Sequence, residues 1–373
     1  MKQYRVCHMT SAHPPEDIRI FHKECVSLAG AGYDVYLVER GESYEKNGVH
    51  IVGVGEIPNH RLKRMTRGTK KVLDAALALD CDIYHIHDPE LLPYAIKLKR
   101  KGKKVIFDSH ELTREQIRIR RYLPKIAAEL ASYAYARYED RILPMLDAVI
   151  FPCPIQGRFP LKGRKQVYIN NLPKLDELYD QWDQKVEKLP KSLCTVGMLS
   201  PARGIRELIL AAHQAGAHLY LGGNFSSADF ETEVRNMPEI ESAELLGFLD
   251  REQVRTLLNR CCVGVSSILN VGQYDQIGNL PTKVYEFMAM GLPVILTRNE
   301  FNEGMVRRYR FGVCVDPENI AEFSEVIRDL LEHPDMIQEL GENGRKAALE
   351  ELNWGCEEKK LLELYRSLEN GLS

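Results

Sequence analysis

Residues 263–297 read VGVSSILNVGQYDQIGNLPTKVYEFMAMGLPVILT, and this stretch alone predicts one β-α-β unit. The short apolar run Val263–Ser266 is typical of a buried strand. Val284–Met290 has apolar residues at helical spacing, and Gly291 closes it, since glycine favours the C-terminal end of a helix. Val294–Thr297 reads as the strand that follows. Two strands joined through a helix in this way lie parallel in one sheet.

The same alternation runs through the rest of the chain, which predicts an α/β fold with doubly wound parallel sheets. The predicted strands of the first half are Arg5–Met9, Val35–Val38, Val49–Val54, Ile83–Ile86, Val105–Phe107, Ala148–Phe151 and Val167–Ile169. Its predicted helices are Ile18–Ala31, Lys63–Leu79, Glu90–Lys101 and a long one over about 114–143. The further strands of the second half are Leu193–Gly197, Leu219–Leu221, Leu245–Leu246 and Val313–Val315. Its further helices are Ile205–Ala215, Gln253–Asn259, Ile320–His333, Met336–Glu350 and, after a break at 354–355, Cys356–Leu368.

A charged segment with few strand formers, residues 173–192, separates two such alternations. A chain of 373 residues is long enough for two domains of about 150–200 residues each. We therefore predict two Rossmann-like domains facing a cleft, residues 1–172 and 193–355, joined by this linker. In doubly wound sheets, ligands bind beyond the carboxyl ends of the strands, so the loops at those ends hold the candidate site residues.

Composition excludes several classes of protein. The net charge of −3 argues against a nucleic-acid-binding protein as a whole. The nine cysteines form no CxxC pair and no metal-like Cys/His spacing, which favours reduced thiols in a cytoplasmic protein. No apolar run approaches the roughly 20 residues of a membrane span, and the first residues lack the apolar region of a signal peptide.

Residues 196–204, VGMLSPARG, form a strand end, a loop and a helix start. Arg203 and Gly204 immediately precede the helix, where free N–H groups and partial positive charge attract a diphosphate. A solvated arginine beside a turn glycine is an equally good interpretation of these residues alone.

A second candidate lies at the start of the helix after Gly278. Lys283 and Glu286 are three residues apart, on one side of that helix. A cation and a carboxylate beside a helix N-terminus suit a nucleotide, with phosphate on the lysine and ribose hydroxyls on the carboxylate. The alternative is an exposed ion pair worth a few tenths of a kcal/mol. Pro281 fits the first helical turn.

Together these two stretches resemble the donor-binding segment of GT-B glycosyltransferases, specifically the large retaining family four. The matching residues are Glu286, Met288, Ala289, Gly291, Pro293 and Val294, with Ser200, Pro201, Arg203 and Gly204 in the phosphate loop. The resemblance extends over nearly the whole chain. It implies an acceptor-side first domain, a donor-binding second domain, and a terminal helix, 356–373, that packs back on the first domain.

The resemblance also implies roles for individual residues. Glu286 would bind the donor ribose, and Arg203 would take the place of the lysine that holds the diphosphate. Lys283 and the backbone of Asn279, Leu280, Pro281 and Thr282 would support the phosphates or the donor sugar, and Gly204 would bind the donor in the phosphate loop. In the family, a histidine after the strand that ends at Phe107 contacts the donor sugar or orients the acceptor. That histidine is His110 here, with Asp108 or Glu111 to orient its ring.

Two positions depart from the family pattern. Met198 stands where the family often has an arginine after the glycine of the phosphate loop. Gly278 stands where it often has a glutamate, eight residues before the ribose-binding one. Asp275 and Asn279 are the candidates for reading the donor sugar instead.

The first domain offers further candidates on its acceptor side. His13, Asp17 and Arg19 follow the first strand, and resemble an Asp-x-Arg element of a polysaccharide-assembly subgroup. Asp17 is equally suited to cap the next helix, and Arg19 to pair with an anionic acceptor or with a neighbouring carboxylate. His87 ends the strand Ile83–Ile86, where a structural histidine is at least as good an interpretation as a functional one.

Basic residues cluster in 61–71 and 114–125, which predicts peripheral contact with an anionic membrane or a phosphate-bearing acceptor. Ordinary solvated helix surface is the alternative. No metal site is predicted, although His85, His87 and His110 could converge.

By resemblance, the expected activity is retaining transfer of a sugar from a nucleotide-sugar to a glycan or lipid-linked acceptor, in cell-surface polysaccharide or glycoconjugate synthesis. UDP is favoured over GDP on family frequency alone. Two alternatives stay open: a non-catalytic nucleotide- or glycan-binding partner subunit, and a nucleotide-sugar epimerase. A dinucleotide dehydrogenase is disfavoured because no Gly-x-Gly-x-x-Gly follows the first strand.

Overall fold

The computed structural model describes residues 3–58, 60, 63–110, 113–118, 124–153, 165–270 and 278–369. The chain forms two compact units, each with its own parallel sheet and core. Unit 1 contains residues 1–171 and 356–373, and unit 2 contains residues 172–355. The predicted fold class, two Rossmann-like α/β domains, is confirmed.

Unit 1 is built on an eight-stranded sheet in the order β3-β4-β2-β1-β5-β6-β7-β8. The strands are β1 Arg5–Met9, β2 Asp34–Glu39, β3 Tyr44–Lys46, β4 Val49–Gly53, β5 Ile83–Ile86, β6 Lys104–Asp108, β7 Ala148–Phe151 and β8 Lys165–Tyr168. All neighbours pair in parallel except the short edge strand β3, which the sequence analysis missed and which runs antiparallel to β4. The central strands are buried on both faces, as their continuous apolar runs require.

The helices of unit 1 include two π-helical segments, Ile20–Cys25 and Arg64–Gly68. Each continues into an α-helix, α1 Val26–Gly30 and α2 Thr69–Leu79. The other helices are α3 Leu92–Arg100, α4 Thr113–Arg118, α5 Lys125–Ile142 and the C-terminal helix Trp354–Glu369. That last helix contacts unit 1 through Glu357, which accepts from the Asn170 amide, and Tyr365, whose hydroxyl lies 2.9 Å from His85 Nδ1.

Two helix predictions in these regions are wrong. A single helix over 114–143 is excluded because Pro124 has an extended ψ of 141°, and α5 starts only after it. A proline disfavours helical backbone in the residue before it, so the helix restarts beyond the ring. The break at 354–355 is also wrong, because the last helix begins at Trp354, whose amide donates to the carbonyl of Pro173.

Unit 2 is built on a six-stranded, fully parallel sheet in the order β11-β10-β9-β12-β13-β14. Its strands are β9 Ser192–Val196, β10 His218–Gly222, β11 Ala243–Gly247, β12 Val263–Ser266, β13 Val294–Thr297 and β14 Gly312–Val315. Its helices are α6 Ile205–Ala215, α7 Ala228–Arg235, α8 Arg251–Arg260, α9 Thr282–Ala289, α10 Glu300–Tyr309, α11 Ile320–Glu332 and α12 Pro334–Glu350. The C-terminal helix Trp354–Glu369, described above, is α13. Helices α7 and α10 were not predicted.

The β-α-β unit 263–297 fixes where α9 lies. A Cβ on Gly264 of β12 would stand 2.5 Å from a ring carbon of Phe287, so glycine lets α9 pack closely on the strand. β12 pairs in parallel with β13 through Gly264 and Val294, as predicted. This packing holds the start of α9 beside the end of β12.

The segment predicted as a linker lies against unit 2. Leu178 is buried in the core of unit 2, and so is Leu172, which directly precedes the predicted linker. The Arg345 guanidinium stacks 3.8 Å from the ring centroid of Tyr179 and 3.9 Å from that of Trp182. Among the described residues, no helix is long and apolar enough to span a membrane.

Candidate active site

In unit 2, the loop between β9 and α6 is held against the end of β12. Gly204 has a φ of 64°, and a Cβ there would lie 2.1 Å from the carbonyl oxygen of Ser267. The Ser267 hydroxyl donates to the carbonyls of Arg203 (3.1 Å) and Gly204 (3.2 Å). Only glycine fits this left-handed, crowded position, which fixes the backbone directly before the N-terminus of α6.

Two cations lie close together at this end of the sheet. Lys283 is buried, and its Nζ donates to the Thr195 hydroxyl at 2.7 Å. Burial, and then repulsion by Arg203, lower the pKa of Lys283 to about 7. Nη1 of Arg203 lies over Gly197, 2.9 Å from where a Cβ would stand. Within the described part of the chain, neither cation forms an ion pair with a carboxylate, so the pair can receive an anion.

The residues directly before α9 include one that departs from its predicted place. Pro281 does not lie in the first helical turn: its ψ of 142° makes it the cap, and Thr282 is the first helical residue. Leu280 is buried, and the Asn279 side-chain oxygen accepts from the Tyr285 hydroxyl at 2.7 Å. Asp275 lies outside the described residues.

Glu286 of α9 belongs to a three-residue ionic group with Arg251 of α8 and Glu177. Its Oε1 accepts from Arg251 Nη1 at 2.9 Å, and Nη2 of that arginine lies 2.5 Å from Glu177. The Glu286 side chain is 13% exposed, so it remains accessible to a ligand. The arginine fixes one carboxylate oxygen and thereby orients the group.

In unit 1, Asp88 organises the loop after β1. Its Oδ2 accepts from the amides of Ser11 (2.5 Å) and Ala12 (3.1 Å) and from the Thr10 hydroxyl (2.9 Å), and its Oδ1 lies 2.9 Å from His13 Nδ1. Burial opposes ionisation, yet these partners hold the pKa of Asp88 well below its usual range. Against the lowering effect of burial, the bond to Asp88 raises the pKa of His13.

Asp17 and Arg19 are both engaged within unit 1. Asp17 Oδ1 accepts from the amides of Arg19 (2.8 Å) and Ile20 (3.0 Å), which is the capping arrangement. The Arg19 side chain is 5% exposed and donates to both oxygens of Asp108, at 2.8 and 3.0 Å. Of the two partners predicted for Arg19, the structure contains the neighbouring carboxylate.

His110 lies at the exposed end of a chain of imidazoles. Its Nε2 is 3.1 Å from Asp108 Oδ2 and 3.0 Å from His87 Nδ1, and its ring centroid is 4.7 Å from that of His13. The His110 side chain is 14% exposed, whereas His87, predicted on the acceptor side, is fully buried. His87 therefore supports His110 from behind, and burial lowers the pKa of His87 to about 4.

Arg19 holds the pKa of Asp108 well below its usual value although burial acts in the opposite direction. Glu111, the other predicted orienting group, lies outside the described residues.

A buried group lies behind His87, and of its members the sequence analysis singled out only His85. It consists of His8 on β1, Glu24 on the first π-helical segment, His85 on β5, and Tyr365 on α13. Two sets of side chains are close enough to hold a metal ion: His8, Glu24, His85 and His87, and His87, Asp108 and His110. The signal available in the sequence was the His-x-His of β5, because alternate strand residues share one face.

Family models of known proteins match both halves of the chain. Residues 20–158 match the family model for Glycosyltransferase Family 4, and residues 179–347 match that for Glycosyl transferases group 1. The two matches together extend over most of the chain. No curated protein sequence matches it.

Solved structures share the fold along its whole length. Sucrose-phosphate synthase from Thermosynechococcus elongatus superposes with a TM-score of 0.77 at 19% identity, covering 99% of this chain and 100% of that one. Anabaena HepE in complex with UDP gives a TM-score of 0.69 at 13% identity, with coverages of 98% and 100%. WaaG, a glycosyltransferase involved in lipopolysaccharide biosynthesis, gives 0.68 at 13% identity, with coverages of 96% and 98%.

Proposed function

Because the chain belongs to the GT-B glycosyltransferases, we propose that it transfers a hexosyl group from a UDP-sugar to a hydroxyl of a glycan or lipid-linked acceptor, with retention of configuration. The reaction would take place in the cytoplasm. Its product would be used to make cell-surface polysaccharide or glycoconjugate. UDP is the favoured nucleotide because the structurally similar HepE was solved with UDP and with UDP-glucose.

The observation that carries the proposal is the pair Arg203 and Lys283. Burying a lysine without an anionic partner is costly, and the cost disappears when a dianionic or trianionic phosphate lies beside it. Gly204 lets the backbone directly before α6 pack against Ser267, next to Arg203, whose Nη1 lies over Gly197. We assign the diphosphate of the donor to this place, and its ribose to Glu286.

The chemistry then follows from charge. The bond between the anomeric carbon and the diphosphate oxygen breaks with the electron pair going to the phosphate. Arg203 and Lys283 stabilise that growing negative charge, since fixed cations in a site of low dielectric act most strongly where charge develops. The acceptor hydroxyl attacks the anomeric carbon from the face on which the phosphate leaves, and its proton passes to the departing phosphate. His110 would bind the donor sugar or the acceptor.

Glu286→Gln tests the ribose assignment. Hydrogen bonds to a charged group are worth about 1.5–3 kcal/mol, so we expect the dissociation constant for UDP to rise about tenfold to a hundredfold. Isothermal titration calorimetry measures it. The matched control is Glu252→Gln, an exposed carboxylate at the start of α8. Equal UDP affinity in the two variants, with both folded, would remove Glu286 from the site.

We further propose that α5 carries a membrane-binding surface. Ile126, Leu130 and Tyr133 are spaced four and three residues apart, and their exposed fractions are 79%, 65% and 66%. Exposed Lys125 and Arg137 lie at the two ends of this apolar ridge. The one acidic residue between them on the helix, Glu129, pairs with Arg118 at 3.1 Å. An apolar ridge with cationic ends fits an anionic lipid surface.

Leu130→Asp should weaken binding to vesicles containing phosphatidylglycerol about tenfold or more, since burying a leucine contributes about 1.5–3 kcal/mol. Co-sedimentation with vesicles measures it, and vesicles of phosphatidylcholine alone test the need for negative charge. Leu349→Asp, at a leucine of unit 2 that is 47% exposed, is the matched control. If both variants sediment like the original chain, α5 does not contact lipid.

A further inference from the structure

Four polar side chains meet in the interior of unit 1, and all are fully buried. They are His8 of β1, His85 and His87 of β5, and Glu24 of the π-helical segment Ile20–Cys25. One ligand atom of each lies within 4.8 Å of the others. The register of the sheet produces this group, because His8 pairs with His85 across parallel strands and His87 follows on the same face.

Each ring of the group has one nitrogen held from outside. His8 Nε2 lies 3.3 Å from the Tyr365 hydroxyl, and His85 Nδ1 lies 2.9 Å from the same oxygen. His87 Nδ1 lies 3.0 Å from His110 Nε2 and 3.7 Å from Asp108 Oδ2. Metal-ligating histidines have this arrangement, in which the second ring nitrogen bonds to a carboxylate, carbonyl or other outer partner.

The remaining ring nitrogens and the Glu24 carboxyl have few hydrogen-bond partners in the protein. His8 Nδ1 and His87 Nε2 share one proton across 2.9 Å. His85 Nε2 and both Glu24 oxygens make no hydrogen bond within the described chain. Glu24 Oε2 lies 3.9 Å from His87 Nε2, and 3.9 Å from His85 Nδ1, the nitrogen that also lies beside the Tyr365 hydroxyl. Glu24 Oε1 is 3.1 Å from Arg19 Nε without the geometry of a hydrogen bond. A buried carboxyl without a hydrogen-bond partner costs free energy, and a cation bound in place of its proton would offset that cost.

We propose that His8, Glu24, His85 and His87 bind a structural zinc ion. Three imidazoles and one carboxylate are ligands that Zn²⁺ accepts, whereas Mg²⁺ and Ca²⁺ require mostly oxygen. Tetrahedral Zn²⁺ with bonds near 2.0–2.1 Å places its ligand atoms roughly 3.4 Å apart. The observed separations of 2.9 and 3.9 Å lie on either side of that value.

Such an ion would join β1, β5 and the first helical segment, and would fix the ring of His87 behind His110. The local charges are compatible with it. Asp17, Glu24 and Asp108 supply three negative charges, and Arg19 with a divalent ion supplies three positive ones. The proposal is independent of the proposed glycosyl transfer, because the ion would be a structural cross-link and takes no part in a bond-breaking step.

The test is the zinc content of the purified full chain, measured by elemental mass spectrometry after dialysis. We expect about one zinc ion per chain, and a higher Tm with zinc than after removal of the metal by a chelator. Cobalt substitution should add the visible absorption bands of tetrahedral Co²⁺. Glu24→Gln should reduce the zinc content at least tenfold, because an amide is a poor zinc ligand.

His218→Ala, at a partly exposed histidine of unit 2, is the control and should leave the zinc content unchanged. Glu24→Gln replaces a buried carboxyl by an amide of the same shape, so loss of folding is not expected, and circular dichroism checks it. A folded chain that retains no zinc, and whose Tm does not respond to added zinc, would overturn the proposal and leave these histidines as a hydrogen-bonded chain. UDP binding by unit 2 is measured separately, so its failure would not be mistaken for loss of the metal site.

Discussion

Lys283→Met will lower the rate of sugar transfer about a hundredfold to a thousandfold, which is the usual effect of removing one group that stabilises developing negative charge. The same substitution should make the chain more stable. Burial lowers the pKa of Lys283 to about 7, from 10.5 for an ordinary lysine. Initial-rate assays with donor in excess measure the first effect, and urea unfolding measures the second.

The sign of the stability effect follows from proton binding. Between about pH 7 and 10.5 the unfolded chain holds a proton on Lys283 that the folded chain has released, so the free energy of unfolding rises with pH in this window. The penalty is complete below pH 7, where Lys283 is protonated in both the folded and the unfolded chain. Methionine removes this penalty but also the hydrogen bond to Thr195. We therefore expect the free energy of unfolding to rise by about 2 kcal/mol at pH 7.

Lys346→Met is the control, at an exposed lysine of α12. It should change neither the transfer rate nor the pH dependence of stability. A Lys283→Met chain that is destabilised and still transfers sugar at the original rate would show that the lysine serves packing and has no role at the diphosphate.

Gly204→Ala should strongly disrupt the loop between β9 and α6 in unit 2. Its φ of 64° disfavours any side chain, and the added Cβ would stand 2.1 Å from the Ser267 carbonyl oxygen. Relieving that contact moves the loop that holds Arg203. We expect a loss of about 2–4 kcal/mol in the free energy of unfolding, from backbone strain plus overpacking, and a loss of UDP binding.

Gly216→Ala separates the two causes. Gly216 has a φ of 66°, and a Cβ there would meet nothing within 4 Å. This variant should lose only about 1 kcal/mol, the cost of a left-handed non-glycine residue, and should bind UDP normally. Equal stability of the two variants would mean that the contact with Ser267 does not hold the loop.

The sheets were predictable from sequence because each internal strand is a short apolar run bounded by polar residues. Val263–Ser266 and Val294–Thr297 were placed with the bounds that the structure has. Helices α7 and α10 were missed, although Ser227 and Asn299 cap them with side-chain bonds to the amides of Phe230 and Asn302. Those capping residues were a readable signal.

The residues of the candidate site in unit 2 could be predicted from the sequence to a greater extent than those in unit 1. Lys283 and Glu286 lie on one helix, so their proximity follows from local spacing, and Arg203 enters through a neighbouring loop. Arg19 and Asp108 are 89 residues apart, and their bond requires the order of the strands. The group around His85 depends on the pairing of β1 with β5 and on the docking of α13, neither of which has a local signal.

The most direct test of the account is the Tm of the purified chain with UDP, GDP, ADP, CDP and dTDP in turn. The account predicts that UDP raises it. A ligand that binds only the folded state adds about 2.7 kcal/mol at a hundredfold excess over its dissociation constant. That response should then be weakened in Glu286→Gln. A folded chain whose Tm responds to none of the five would contradict nucleotide binding at Arg203, Lys283 and Glu286, and would favour a non-catalytic partner subunit.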